Sequence, residues 1–281
     1  MSISHSFKRV WLVTGASRGI GAKIVAAALA NGDAVVATAR DASTIVQRFG
    51  DQPGLLAATL DVTNEAQGVA VAQAAIEHFG RIDVLVNNAG FGLIGAVEEA
   101  SSDEIKRLYE TNVFGLLNVT RGVLPHMRAA RSGHVINISS VGGYQSAPGY
   151  GIYCSTKFAV EALSEALHGE LAPLGVKVTV VEPGYFRTDF LDSNSLVESP
   201  ETIADYASTA GEVRKQAKAI NQQQPGDPEK LAQALITLVE AEQPPLRLPL
   251  GSDSVLYIAA KNAFVAEELN TWRKLSESTD F

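Results

Sequence analysis

A tyrosine and a lysine stand four residues apart, at Tyr153 and Lys157, and this pair could transfer a proton. The apolar residues after them, from Phe158 to Leu167, recur at helical spacing, so both side chains are expected on one helix face. A nearby ammonium group favours the phenolate and so lowers the pKa of a tyrosine. Such a tyrosine can donate a proton to a substrate oxygen or accept one from it. The same spacing also occurs on ordinary surface helices, so the rest of the chain has to decide between the two interpretations.

A glycine-rich turn near the start of the chain could bind a phosphate group. Val10–Val13 is predicted as a buried strand, the glycine-rich segment Thr14–Gly21 follows it, and helical spacing runs from Ile24 to Leu29. A strand, a glycine turn and a helix in this order point free backbone N–H groups at a phosphate. The glycines do not have the commoner G-x-G-x-x-G spacing, and three glycines can also form a simple turn. The flanking strand and helix favour dinucleotide binding.

Two arginines bear on which dinucleotide would bind. The second predicted strand, Ala34–Arg40, ends in an arginine, and Asp41 comes only afterwards. In dinucleotide folds an acidic residue near this point binds the ribose hydroxyls, whereas an arginine accommodates a 2′-phosphate. Arg18, in the glycine turn, could supply a second cation, because a guanidinium binds phosphate strongly. NADP is therefore favoured over NAD, although Asp41 keeps NAD open and both arginines could simply be solvated.

Strands and helices alternate along the rest of the chain. Helices are predicted at about 64–79 and from the Ser101 cap to about Met127. Further strands are predicted at Leu55–Leu60, Ile82–Val86, His134–Ser140, Val176–Val181 and Leu246–Leu250, the last an edge strand because it contains a proline. This alternation indicates right-handed βαβ units, a parallel sheet and an α/β fold class. Polar residues that follow these strands are expected at the sheet edge where such folds bind ligands.

The composition limits the classes of function. The chain has 281 residues, 46% hydrophobic and 19% charged, which suits one large α/β domain with a sizeable core. A net charge of −8 argues against nucleic acid as a partner. Cys154 is the single cysteine and the histidines are scattered, so neither a disulfide nor a metal site is expected. No apolar run approaches the ~20 residues that span a membrane, and residues 1–9 lack a signal sequence, so a cytoplasmic location is expected.

Five features together resemble the short-chain dehydrogenase/reductase family. They are TGASRGIG at 14–21, NNAG at 87–90, Asn112, the spacing of Ser140, Tyr153 and Lys157, and PGYFRT at 183–188. They occur in the family's order and at its separations over roughly residues 8–190. The resemblance implies a doubly wound Rossmann fold whose seven-stranded parallel sheet has the order 3-2-1-4-5-6-7, with helices on both faces. It also implies a single Rossmann-type domain, residues 1–281.

The resemblance assigns roles to these residues. Tyr153 is expected as the general acid/base, and Lys157 as the group that lowers its pKa and holds the nicotinamide ribose. Ser140, thirteen residues before Tyr153, is expected to hydrogen-bond the substrate oxygen, rather than Ser139. Asn112 is expected to support a water that relays protons to Lys157. The expected NADP(H)-binding residues are Gly15, Ser17, Arg18, Gly19, Ile20, Gly21, Arg40, Asp61, Val62, Asn88, Ala89, Gly90, Tyr153, Lys157, Pro183, Gly184, Phe186 and Thr188.

The C-terminal part departs from the common pattern. Residues 189–222 are expected as an insertion that closes over the substrate, with a helix from about Pro200 to Ile220. Residues 252–281 are expected as a helical extension, amphipathic over Ser252–Leu275. This long tail, together with YCSTKFAVEALSEAL at 153–167, resembles the family branch with hydroxysteroid and retinol dehydrogenases, and bacterial members of unknown substrate look similar. In the family, subunits pair through the helices that carry Asn112 and Tyr153, so a homodimer or homotetramer is expected.

Three hypotheses for function follow. The first is an NADP(H)-dependent carbonyl reductase or secondary-alcohol dehydrogenase without a metal. Its substrate is expected to be an apolar or aromatic carbonyl or alcohol, because the segments expected around it are rich in apolar side chains: Phe91, Leu93, Tyr144, Tyr150, Tyr185, Phe186, Phe190 and Leu191. The second is a catalytically silent NADP(H)-binding sensor. The third, enoyl reduction or epimerisation, is disfavoured by Ser140 and by the spacing of Tyr153 and Lys157.

Overall fold

The computed structural model describes residues 7–281, and a seven-stranded parallel sheet forms the centre of this part of the chain. Residues 1–6 of the predicted domain and N-terminus lie outside the described residues. The strands are β1 (Val10–Val13), β2 (Ala34–Ala39), β3 (Leu55–Thr59), β4 (Val84–Asn87), β5 (Gly92–Ile94), β6 (Gly133–Ile138), β7 (Val176–Pro183), β8 (Leu196–Glu198) and β9 (Arg247–Leu250). The main sheet has the order β3-β2-β1-β4-β6-β7-β9. This confirms the predicted order 3-2-1-4-5-6-7, which counts only the strands of that sheet.

Helices cover both faces of the sheet. They are α1 (Gly19–Ala30), α2 (Ser43–Phe49), α3 (Glu65–Phe79), α4 (Ser102–Tyr109), α5 (Gly115–Ala130), α6 (Gly151–Leu171), α7 (Ala210–Ile220), α8 (Pro228–Glu240) and α9 (Ser252–Glu277). Alternate residues of β1 point to opposite faces: Trp11 and Val13 pack with α1 and α8, and Leu12 packs with α3 and α5. Strand order reverses between β1 and β4, so the crevice at their carboxyl ends is the expected ligand site.

The long helix predicted after Ser101 is present but interrupted. The predicted cap at Ser101 is confirmed and forms a capping box, since the Ser101 Oγ accepts the Glu104 N–H and the Glu104 carboxylate accepts the Ser101 N–H. A π-helical turn at Glu110–Phe114 then separates α4 from α5, and there the Gly115 N–H donates to the Glu110 carbonyl, five residues back. Such turns are rare and often occur at functional sites. The turn places Asn112 at the point of distortion.

The segment 189–222 differs from its predicted secondary structure. Its helix, α7, begins at Ala210 and not near Pro200. The preceding chain is held in extended conformation at Ile203, whose N–H donates to Glu99 Oε1 at 2.8 Å. The short strand β8 pairs in parallel with β5, with Leu196 opposite Gly92, in a second small sheet that was not predicted. Three-residue strands carry too short a pattern to stand out in a sequence.

The C-terminal helix α9 is largely exposed along its length. Its first turns contact the main body, where the Ser254 Oγ donates to the Glu182 carbonyl at 2.7 Å. Further along, the Tyr144 hydroxyl donates to Asn262 Oδ1. Within residues 7–281, none of the helices has the length and apolar character that crossing a membrane requires.

Candidate active site

The carboxyl ends of the central strands open into a cleft of about 890 Å³. Its wall includes every residue predicted for catalysis or cofactor binding except Gly21 and Asn112. Those two lie directly behind the wall: Gly21 packs against Gly15 and Asn88, and Asn112 contacts the backbone of Phe91. The structure therefore brings predicted residues from seven separate segments of the chain to the wall of one cleft.

Hydrogen bonds of Thr14 and Asn88 hold the glycine turn in place. The Asn88 Nδ2 donates to the Thr14 carbonyl at 2.9 Å and to the Gly15 carbonyl at 3.1 Å. The Thr14 Oγ1 in turn accepts the N–H groups of Asn88 and Ala89. Gly15 and Gly19 have φ angles of 64° and 54°, which favour glycine. Asn88, predicted as an NADP(H)-binding residue, thus also fixes the turn whose N–H groups would meet a phosphate. Thr14 was not predicted.

Adding a methyl group at Gly21 should disturb this turn. A Cβ there would lie 2.5 Å from Asn88 Nδ2 and closer still to the Gly15 carbonyl oxygen, so the turn must shift. We expect Gly21→Ala to weaken NADPH binding at least about tenfold, equivalent to ~1.4 kcal/mol. Fluorescence titration with NADPH measures this effect. Gly169→Ala is the matched control, because a Cβ at that α6 position meets no atom of the described residues within 4 Å. Unchanged NADPH affinity in Gly21→Ala would contradict the assignment.

Three charged residues bear on the choice between NADP and NAD, and their surroundings differ: Arg40, Asp41 and Arg18. Arg40 is exposed at the end of β2 and lines the cleft. The Asp41 carboxylate turns towards α2, where it accepts the Ser43 N–H at 2.9 Å, and hydrogen bonds from Ser43 hold its pKa below the ordinary value. Arg18 lines the cleft as predicted, but its guanidinium donates to the Asn194 carbonyl and, at 2.8 Å, to the Ser195 Oγ. In this structure Arg18 therefore binds the 189–222 segment.

Tyr153, Lys157 and Ser140 meet at the inner end of the cleft. Tyr153 and Lys157 are each only 8% exposed, and the Lys157 Nζ lies 5.9 Å from the centre of the Tyr153 ring. The Lys157 ammonium group donates to the Ile138 carbonyl at 2.9 Å, which fixes it to the end of β6. The Ser140 hydroxyl hydrogen-bonds Tyr153 and also accepts the Gly142 N–H at 3.0 Å. Two hydroxyl groups thus lie side by side, with a lysine one helical turn behind.

Burial dominates the electrostatics of the pair. It raises the pKa of Tyr153 above its ordinary value, and the hydrogen bond with Ser140 opposes that effect only in part. Burial lowers the pKa of Lys157 to about 8, against the negative charge of Glu161, which raises it. The predicted lowering of the Tyr153 pKa is therefore wrong in direction, because desolvation raises this pKa.

Asn112 holds the neighbouring loop in place. Its Oδ1 accepts the Phe91 N–H at 3.1 Å, and its Nδ2 donates to the Phe91 carbonyl at 2.9 Å and to the Thr156 Oγ1 at 3.1 Å. The side-chain amide is thus occupied by protein groups and ties the loop after β4 to α6. The predicted role of Asn112 in a water-mediated proton path stays a prediction.

The outer part of the cleft has an apolar lining. Six of the residues predicted to face the substrate do line the cleft: Phe91, Tyr150, Tyr185, Phe186, Phe190 and Leu191. Leu93 instead packs in the small core with Leu108, and Tyr144 bonds Asn262 on α9, so neither prediction holds. Tyr257 of α9 also lines the cleft and was not predicted. No short-range pattern marks it, since it lies about a hundred residues beyond Tyr153.

A buried ion pair attaches the 189–222 segment to the body of the domain. The side chain of Glu99 is 1% exposed, and its Oε2 accepts from Arg214 Nη2 on α7 and from the Ala96 N–H, both at 2.7 Å. Its Oε1 accepts the Ile203 N–H. One carboxylate therefore fixes both α7 and the extended chain before it.

Comparison with known proteins agrees with this geometry. Residues 9–198 match the family model described as short chain dehydrogenase. The chain is 37% identical over 271 residues to "Oxidoreductase BOA17" of Botryotinia fuckeliana, covering 95% of this chain and 98% of the relative. It is 39% identical over 246 residues to a "3-ketodihydrosphingosine reductase" of Bacteroides thetaiotaomicron, covering 86% and 88%.

Solved structures are similar over most of their length. A short-chain dehydrogenase from Streptomyces avermitilis is 43% identical, with a TM-score of 0.88 over 97% of this chain and 100% of that one. A 3-ketoacyl-(acyl-carrier-protein) reductase from Brucella melitensis complexed with NADH is 26% identical, with a TM-score of 0.74 over 87% and 97%. ElxO with NADP bound is 27% identical, with a TM-score of 0.72 over 89% and 99%. The fold, the cleft and these similarities lead to one conclusion: the chain is an oxidoreductase that belongs to the short-chain dehydrogenase/reductase family.

Proposed function

We propose that the protein is an NADP(H)-dependent carbonyl reductase or secondary-alcohol dehydrogenase. The observation that carries this proposal is the contact between the Ser140 and Tyr153 hydroxyls, with Lys157 one turn behind, inside a cleft that also contains the glycine turn. The braced turn and its crowded glycines suit a dinucleotide phosphate. When bound, NADPH supplies the hydride for carbonyl reduction.

The residues of this chain then have to stabilise the negative charge that develops on the substrate oxygen and to supply one proton. Ser140 and Tyr153 hydrogen-bond the substrate carbonyl oxygen, and Tyr153 donates a proton to it as negative charge develops. The high pKa of Tyr153 keeps the phenol protonated, which suits a general acid. The Lys157 ammonium stabilises the phenolate that remains, and Asn112 keeps the adjoining loop and α6 in register. In alcohol oxidation the same proton transfer runs in reverse.

Cofactor choice follows from the end of β2. Arg40 lines the cleft, whereas the Asp41 carboxylate is engaged by α2, so Arg40 is the charged group at the end of β2 that a 2′-phosphate would meet. We expect Arg40→Asp to weaken NADPH binding about 10- to 100-fold, because a charge-assisted hydrogen bond is lost, and to leave NADH binding nearly unchanged. Titration of both cofactors measures the difference. Arg48→Asp, on the exposed end of α2, controls for net charge. Equal losses for NADPH and NADH in Arg40→Asp would rule out contact with the phosphate.

The proposed substrate is an apolar or aromatic ketone, aldehyde or secondary alcohol. Phe91, Tyr150, Tyr185, Phe190 and Leu191 supply the apolar lining. The Bacteroides relative is named as the reductase of a 3-keto compound, which supports a ketone as the class of substrate. A panel of such compounds, followed by loss of NADPH absorbance, tests the proposal. NADPH binding without any turnover across the panel would favour a silent sensor.

Three further proposals complete this account. The chain forms a single Rossmann-type domain in which residues 189–222 cover the substrate and residues 252–281 form a helical extension. The protein acts in the cytoplasm. It assembles as a homodimer or homotetramer through the helices that carry Asn112 and Tyr153.

A further inference from the structure

Three carboxylates converge on one arginine below Lys157. Glu161 and Glu165 lie on α6, Glu182 lies on β7, and Arg247 lies on the edge strand β9. The Arg247 Nε is 3.2 Å from Glu161 Oε2 and 3.8 Å from Glu182 Oε1, and its Nη2 is 2.7 Å from Glu165 Oε2. If all three carboxylates were ionised, a single guanidinium would leave two negative charges unbalanced.

Two of these carboxylates are buried together. Glu161 is 5% and Glu182 1% exposed, whereas the Glu165 side chain is 64% exposed and solvated. The Oε1 atoms of Glu161 and Glu182 are both buried and accept no N–H from the described residues. Each carboxyl group alters the pKa of the other, so the two groups lie close together. Two ionised carboxylates repel each other and can only accept hydrogen bonds, whereas a proton on one of them would let it donate to the other.

The pair touches the same elements that position the catalytic groups. Glu161 follows Lys157 by one helical turn on α6, and its negative charge favours the ammonium form of that lysine. The Ser139 hydroxyl lies near Glu161 and opposes the rise of its pKa, and the carbonyl of the preceding residue, Ile138, accepts a hydrogen bond from Lys157. A change in the charge of this carboxyl pair therefore acts directly on Lys157 in the acid/base site.

We propose that Glu161 and Glu182 share a single proton and that the negative charge they retain holds Lys157 as an ammonium ion. Both are positioning residues, since they lie outside the cleft wall. Groups that face the pair come from every packed element: Lys157 and Glu165 from α6, Arg247 from β9, the Ser139 hydroxyl after β6, and the Ser254 hydroxyl of α9 at the Glu182 carbonyl. The role in turnover rests on the proposed function, whereas the shared proton does not.

Thermal unfolding as a function of pH tests the shared proton. Burial raises the pKa of Glu182 from 4.5 to about 8, so between these values the folded protein holds a proton that the unfolded chain has released. The stability of the wild type should therefore fall as pH rises through this window. Glu182→Gln keeps a hydrogen-bond donor to Glu161 and does not titrate, so its Tm should gain on the wild type as pH rises. Glu165→Gln, the exposed control, should follow the wild type. A constant Tm difference between Glu182→Gln and the wild type would overturn the shared proton.

The pH profile of carbonyl reduction tests the effect on Lys157. Glu161→Gln confines the retained negative charge to Glu182 on β7, away from the α6 position that acts on Lys157, so the alkaline limb of kcat/KM should move to lower pH by up to about one unit. Glu165→Gln should leave the limb in place. If Glu161→Gln lowered the rate at every pH and left the alkaline limb in place, Glu161 would have a structural role only, and the proposed effect on Lys157 would be overturned. Lack of any turnover would contradict the proposed function, and the Tm experiment would still decide whether the proton is shared.

Discussion

Tyr153→Phe is expected to lower kcat/KM for NADPH-dependent carbonyl reduction by about a thousandfold, because general acid catalysis is lost. The substitution removes only the hydroxyl. The ring keeps its contacts with Phe190, 5.7 Å away between centroids, and with Tyr150. NADPH affinity should therefore change by less than about threefold, which separates a loss in the chemical step from a loss in binding. Steady-state kinetics and NADPH titration measure the two quantities.

Tyr109→Phe provides the matched control. The Tyr109 hydroxyl donates to the Ser155 Oγ at 2.9 Å, behind the cleft, so this variant also loses one hydrogen bond of a partly buried tyrosine. Its rate should stay within about twofold of the wild type, with a stability loss of ~1 kcal/mol. Wild-type turnover by Tyr153→Phe would remove Tyr153 as the acid and end the mechanism.

Glu99→Gln is expected to lower the free energy of unfolding by about 3 kcal/mol, since breaking a buried ion pair leaves an uncompensated charge. We place the loss at the low end of that range because the Arg214 side chain is still 11% exposed. The amide cannot balance the guanidinium, and the anchor of α7 weakens together with the extended chain at Ile203. Urea-induced unfolding measures the change.

Two further variants show whether charge is the cause. Glu98→Gln alters the adjacent residue, whose exposed carboxylate accepts from the Tyr206 hydroxyl of the same segment, and should cost less than ~1 kcal/mol. Combining Glu99→Gln with Arg214→Met removes the orphaned charge and should restore part of the lost stability. Equal losses in Glu98→Gln and Glu99→Gln would contradict a special role for the buried pair.

The main sheet could be predicted from the sequence because each strand is a short apolar run followed by a polar or glycine signal. Val10–Val13 before the glycine turn is an example, and the capping box at Ser101 marks a helix start with equal clarity. The π turn at Glu110–Phe114 could not be predicted, since it depends on contacts of Asn112 with Phe91 and Thr156. Local patterns describe neighbours along the chain and miss such contacts.

The candidate site was likewise predictable only where short motifs mark its residues. The spacing of Ser140, Tyr153 and Lys157 predicts that these residues lie near one another, because the same separations occur in the family that the motifs resemble. The ion pair between Glu99 and Arg214 joins residues 115 positions apart, and no spacing rule links them. The pair of Glu161 and Glu182 is likewise formed between α6 and β7, and no spacing rule predicts it. Burial also reversed the predicted direction of the Tyr153 pKa.

The most direct test of the central claim is the fate of the transferred hydride. NADPH carrying deuterium at the transferable position should be incubated with the best ketone of the panel, and the product analysed by mass spectrometry and NMR. We predict deuterium on the carbinol carbon of a secondary alcohol, at a rate that Tyr153→Phe lowers by about a thousandfold. Consumption of NADPH without deuterium at that carbon would contradict the assignment of this site to carbonyl reduction.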